Sequence, residues 1–132
     1  MEVLIRNFEI SDYEEVINLW QLDNLPLKLK GRDNRAQLEQ QIKLDQVIFL
    51  VAEKGNRIIG TVLATHDGRK GWINRLAVHP DLRRQGLGTL LIKRAEEELR
   101  KKGLLLVAAL IEEHNSASIN LFIQLGYEPH PE

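Results

Sequence analysis

The stretch Leu76-Ala77-Val78-His79-Pro80-Asp81-Leu82-Arg83-Arg84-Gln85-Gly86-Leu87-Gly88-Thr89 decides more about this chain than all the rest of it. An apolar run ends at a proline turn, a short basic loop with two glycines follows, and an amphipathic helix then begins. Glycine lets a backbone turn tightly and approach a ligand without a Cβ in the way. A helix N-terminus presents free N–H groups and a partial positive charge, which favour an oxyanion or a phosphate. Arg83 and Arg84 add two permanent cations beside it. Together Arg83, Arg84, Gln85, Gly86, Leu87, Gly88 and Thr89 read as a pyrophosphate cradle. The bland alternative is a glycine-tolerant strand-to-helix turn with arginines nearby.

Other phosphate loops do not fit. No Gly-x-Gly-x-x-Gly follows the first apolar run, and no Gly-Lys-Ser/Thr closes the loop. Arg83-x-x-Gly86-x-Gly88 after Leu-Ala-Val-His-Pro, with Asn115-x-Ala117 downstream, resembles the coenzyme-A loop of the GNAT acetyltransferase superfamily. The resemblance covers nearly the whole chain. It implies an α/β (α+β mixed) fold with a central, mostly antiparallel mixed sheet flanked by helices, and a small stand-alone bacterial-type member.

At 132 residues the chain suits one domain over 1–132, large enough to bury a core. A net charge of −1 gives no global pull toward nucleic acid or membranes. The cations between Lys28 and Arg35 lack interleaved aromatics, which argues against nucleic-acid binding. Zero cysteines exclude disulfides and cysteine-ligated metals, and no metal is expected. Met1 to Arg6 is too short and too charged for a secretory signal. No segment approaches the roughly 20 apolar residues of a membrane span. These features lead us to expect a soluble, cytoplasmic protein.

Val3-Leu4-Ile5 opens as a strand, and Ser11-x-x-Glu14 reads as a capping box before a helix with Val16, Ile17, Leu19 and Trp20 inward. Gln21 to Asn34 is irregular, and a second helix runs from Arg35 to about Leu44 with Leu38 and Ile42 inward. Val47 to Glu53 and Ile58 to Thr65 make a hairpin around Lys54-Gly55-Asn56, and Trp72 to Val78 is a fourth strand after the His66-to-Arg69 turn. The helix after the cradle puts Leu87, Leu90, Leu91, Ala95 and Leu99 on one face. Its outer face sets Glu96, Glu97 and Glu98 against Arg100, Lys101 and Lys102. Leu104 to Ile111 reads as a strand buried on both faces. Asn115 caps a last helix with Ala117, Leu121, Phe122 and Leu125 inward, ended by Gly126. The closing Glu128-Pro129-His130-Pro131-Glu132 cannot pair as a central strand. The family's last strand is therefore expected to be missing from a shortened C-terminus or supplied by a partner, and a homodimer is compatible with that.

The resemblance implies acetyl-CoA as co-substrate and an amine of a small molecule or peptide as acceptor. It implies that the backbone of Leu76, Ala77 and Val78 pairs with the pantetheine arm, and that an N–H there, on Val78, polarises the thioester carbonyl. In the family the Asn at position 115 also contacts the coenzyme, beyond its role as a cap. Phe122, grouped with it among the coenzyme contacts, stands where the family's Tyr protonates the departing thiolate. Tyr127 occupies an ordinary aromatic core position. Leu110 replaces a Glu found in ribosomal-protein acetyltransferases, which argues against that specificity. Glu112 and Glu113 are candidate bases acting through water, against a reading as exposed carboxylates; His66, Asp67 and His79 have weaker claims. Asp23, Lys28, Lys30, Arg32, Asp33 and Arg35 form either a solvated loop or an attractor for a carboxylate- or phosphate-bearing acceptor. Trp20 reads as core, while Trp72 is a candidate for the cleft wall. A second function stays open at this point: a GNAT fold that binds acyl-CoA as a sensor or complex subunit with little or no turnover, favoured by Phe122, Leu110 and the short C-terminus.

Overall fold

The computed structural model describes residues 2–23, 25, 27, 29–104, 106–111 and 115–129. Its strands are β1 (Leu4–Asn7), β2 (Val47–Lys54), β3 (Arg57–His66), β4 (Gly71–Val78) and β5 (Val107–Ala109). Its helices are α1 (Tyr13–Leu22), α2 (Arg35–Gln41), α3 (Leu87–Lys101) and α4 (Ser116–Gln124). The strands form one sheet in the order β1-β2-β3-β4-β5, antiparallel except for β4 with β5. This is the expected mixed, mostly antiparallel sheet with flanking helices.

Strand alternation divides the core into two layers. On β2, Ile48, Leu50 and Ala52 pack with Leu91, Ile92, Ala95 and Leu99 of α3. Phe49 and Val51 point the other way, to Val16, Ile17 and Trp20 of α1. Trp20 is fully buried, as expected, and its indole N–H donates to Thr61 Oγ1 at 2.9 Å. An irregularity in β4 redirects this alternation. Leu63 pairs with Arg75 and Ala64 with Ile73, so Asn74 is an extra residue, a β-bulge. Ile73 accordingly belongs to the α3 layer, whereas Arg75 lies over Trp20 and Ala77 belongs to the α1 layer. Without the bulge Arg75 would share the face of Ile73, inside the apolar layer.

Several local expectations are corrected. The Ser11-Glu14 box does not form; a 3-10 turn over Ile10–Asp12 precedes α1, and the Glu9 N–H donates to Asp12 at 2.8 Å. Arg6 grips the same carboxylate at 2.8 and 3.0 Å, which holds Asp12 below the usual carboxylate range. Leu90 is exposed and Ile92 takes the inward position, while Ala117 is also exposed. Of the helix-surface pairs only Glu96 with Arg100 forms, at 3.9 Å; Lys101 turns to Glu98 and Lys102 to Asp45. The run Leu104 to Ile111 is not a strand buried on both faces. Among its described residues only Val107–Ala109 form a strand, at the edge of the described sheet, and Leu106 and Leu110 are 60% and 64% exposed. The run was apolar enough for a central strand, but no described strand lies outside it. Among the described residues no helix is long and apolar enough to cross a membrane.

Thr61→Val keeps the side chain's shape but leaves the buried Trp20 N–H without its acceptor. The variant should lose about 1–3 kcal/mol in urea unfolding; an unchanged midpoint would mean the hydrogen bond contributes nothing net.

Candidate active site

The loop expected to form the cradle lies at the start of α3. Gly86, the N-cap, sits at φ 83°, a left-handed conformation that an L side chain adopts only under strain, and Arg84 before it is also left-handed at φ 66°. With no side chain at Gly86, no side-chain cap engages the first-turn N–H groups of α3. Arg84, Gln85 and Gly86 are exposed, so the loop's backbone faces solvent. Arg83 is partly committed elsewhere, since its guanidinium donates to Asp23 at the end of α1. Arg84 has no such partner among the described contacts.

Gly88 has a different role from Gly86. A Cβ there would lie 2.9 Å from Leu121 Cδ2, with Leu76 and Val78 side chains at 3.7 and 3.8 Å. Its smallness therefore serves the approach of α3 to α4 and β4, and brings the cradle against β4. The two glycines of the loop do separate work.

β5 runs beside only part of β4. Pairing covers Gly71 to Ile73 against Val107 to Ala109, and the last bond is Leu110 N–H to Ile73 O at 3.1 Å. From Asn74 to Val78, one side of β4 has no strand neighbour among the described residues. A cleft of about 220 Å3 opens where the strands part. Asn74, Arg75 and Leu76 form one wall, Leu110 and Ile111 another, and Asn115, Ser118 and Phe122 of the α4 end a third. Leu25 and Arg32 close it from the α1–α2 connection. Trp72, a candidate for this wall, is not among its residues; it packs under Lys70 instead.

Asn115 is the cap it was expected to be: its side chain accepts from the Ser118 N–H at 3.2 Å, and it also lines the cleft. Phe122 is buried and meets Tyr127 edge-on, with ring centroids 4.9 Å apart. The Tyr127 hydroxyl donates to Glu96 at 2.7 Å, and burial together with that carboxylate raises its pKa well above the ordinary phenol. It is a structural tyrosine. The lesser base candidates are engaged in turns. His79 Nδ1 accepts from the Asp81 N–H, and His66 Nδ1 from the Gly68 N–H. Asp67 accepts from the Lys70 and Arg69 N–H groups, which hold its carboxyl below the usual range and make it a weak base. Glu112, Glu113 and His114 lie outside the described residues, as does Lys28.

The loop between α1 and α2 is not simply solvated. Asp33 is buried and accepts from Arg75 at 2.9 Å, and its carbonyl accepts from the Tyr13 hydroxyl at 2.6 Å. Arg75 is the cleft residue that sequence reasoning missed. Its signal was available: it is the one charge within the run Trp72 to Val78. Among the described residues no group of three or more His, Cys, Asp or Glu side chains is placed to hold a metal ion.

Comparison with known proteins agrees with this geometry. The model of the acetyltransferase (GNAT) family matches residues 13–127. An acetyltransferase of Yersinia enterocolitica is 37% identical over 124 residues, covering 94% of this chain and 86% of its own. One of Photorhabdus laumondii is 36% identical, covering 94% and 85%. Among solved structures, the PaiA N-acetyltransferase of Thermoplasma acidophilum in complex with coenzyme A superposes with a TM-score of 0.83 at 20% identity, over 97% of this chain and 91% of that one. The aminoglycoside acetyltransferase AAC(6')-Iy in complex with coenzyme A gives 0.80 at 20%, over 99% and 91%.

Gly88→Val should lower stability by about 1–3 kcal/mol through overpacking. Thermal unfolding of the Gly88→Val/Leu121→Ala double variant should show smaller loss than the two single effects added together; simple additivity would mean the two residues do not meet.

Proposed function

Since this chain belongs to the GNAT acetyltransferase family and is an acetyl-CoA-dependent N-acetyltransferase, we propose that its cleft admits the primary amine of a small molecule or peptide for direct attack on the thioester. One observation carries the reading: the unpaired stretch of β4 abuts an uncapped helix N-terminus. The first can take an extended pantetheine arm as a further strand, and the second its pyrophosphate. The backbone of Leu76, Ala77 and Val78 holds the arm; N–H groups from Gln85 to Thr89, with Arg84 and the partly engaged Arg83, hold the phosphates. Asn115 contacts the coenzyme from the cap of α4, and Phe122 packs beside the thioester.

In the transfer, the amine nitrogen forms its bond to the acetyl carbon and the carbon–sulfur bond breaks. The Val78 N–H stabilises the negative charge on the carbonyl oxygen between those events. Glu112, three residues beyond β5 in sequence, accepts the amine proton through water. Phe122 has no proton to give the departing thiolate, and a thiol pKa of about 8.5 makes solvent a sufficient donor.

Wild-type protein should bind acetyl-CoA with micromolar affinity in titration calorimetry. Gly86→Val should lose that affinity while its circular dichroism stays folded, because no atom crowds a Cβ there and the strain is about 1–2 kcal/mol. Unchanged affinity would remove the cradle assignment. Phe122→Tyr should raise kcat by no more than about tenfold, below the usual range for an added general acid. A hundredfold rise (roughly the lower bound for such catalysis) would show that leaving-group protonation limits this enzyme.

A further inference from the structure

Arg75 is a charged side chain in a place that does not satisfy it. It is 9% exposed, stacked with its guanidinium carbon 4.6 Å from the Trp20 ring centroid. Nη2 donates to Asp33 Oδ2 at 2.9 Å, but Nη1 is buried with no hydrogen-bond partner among the described residues. A desolvated donor on a cation is expensive to leave unmet, and the guanidinium fork suits a planar anion. Arg32, on the cleft's outer side, lies 3.8 Å from the same Asp33 oxygen. Two guanidinium groups thus approach the same carboxylate oxygen. Both arginines line the cleft beside β4.

We propose that Arg75 and Arg32 read a carboxylate on the acceptor, so that the enzyme acetylates an amine that also carries a carboxylate. The proposal rests on the cleft being the acceptor site. A carboxylate oxygen entering the cleft supplies the acceptor that Nη1 lacks, and the Trp20 face and Asp33 hold the guanidinium still while it does so. The β-bulge at Asn74 makes this possible by turning Arg75 out of the α3 layer and onto this side.

The test has a binding arm and a turnover arm. Arginine side-chain NMR signals, with Arg75 assigned by Arg75→Lys, are followed on addition of propionate and of its neutral counterpart propionamide. Propionate should shift the Arg75 signals saturably and propionamide should not. Arg32→Gln, an exposed position that leaves the fold intact, should weaken the propionate response. Acetylation is then compared for amino acids and their carboxamides. Wild type should favour the carboxylates by about tenfold or more in kcat/KM, the worth of one charge-assisted hydrogen bond. Arg32→Gln should erode that preference through KM. Arg75 signals indifferent to propionate, or carboxamides used as well as carboxylates, would overturn the proposal. A propionate response without acetylation of any amine would instead retain the anion site and remove the proposed function.

Discussion

The parting of β4 and β5 is the constraint on which the rest of the site depends. A strand's N–H and C=O groups require partners, and among the described residues pairing with β5 stops at Ile73. From Asn74 onward, one side of β4 offers backbone to whatever enters the cleft. Cleft, α4 cap and cradle are arranged around that free edge, with Asn115 and Phe122 opposite it and Gly88 behind it. Nothing here asks for an unusual side chain. The arrangement is made of backbone that no described strand pairs on that side.

The bulge at Asn74 adds a second effect at the same position. By inserting one residue it changes which side of β4 faces which helix layer. Leu76 and Val78 then pack with the α3 and α4 layer, while Arg75 and Ala77 face α1. Side chains on the two faces of one strand are thus free to vary apart from each other, and varying Arg75 or its neighbours in the α1–α2 connection leaves the β4 backbone untouched.

What could be read in the sequence followed from how local each signal was. The tight loop into α3 was legible because arginines, glycines and a helix start lie within seven residues. The hairpin over β2 and β3 and the inward stripe of α3 were legible from period alone, apart from the shift from Leu90 to Ile92. Misreadings arose where a pattern has two frames or depends on a distant neighbour. Asp12 outcompetes Ser11 and Glu14 because Arg6, six residues earlier, fixes its carboxylate. Leu104 to Ile111 has the composition of a central strand, yet position in the sheet depends on what pairs outside it. Arg75 stood out as a charge in an apolar strand, but the side it faces is decided by a bulge that no local signal marks.

The sheet's connectivity sets the cleft's far wall apart from the rest of the molecule. β1 to β4 pair antiparallel with their spatial neighbours, and β2, β3 and β4 are joined by short turns, so most of the sheet rests on contacts close in sequence. β5 reaches its place only after the chain has crossed over through α3, and then pairs through three residues. Ordering a segment by so distant and so brief a pairing carries a loop-closure penalty with little return. Side-chain packing makes up for it: Val107, Ala109 and Ile111 lie against the same core as Phe122 of α4, and Tyr127 after α4 is tied to Glu96 of α3. The cleft wall that carries Leu110, Asn115 and Phe122 is thus held to the molecule more by the α3 layer than by the sheet.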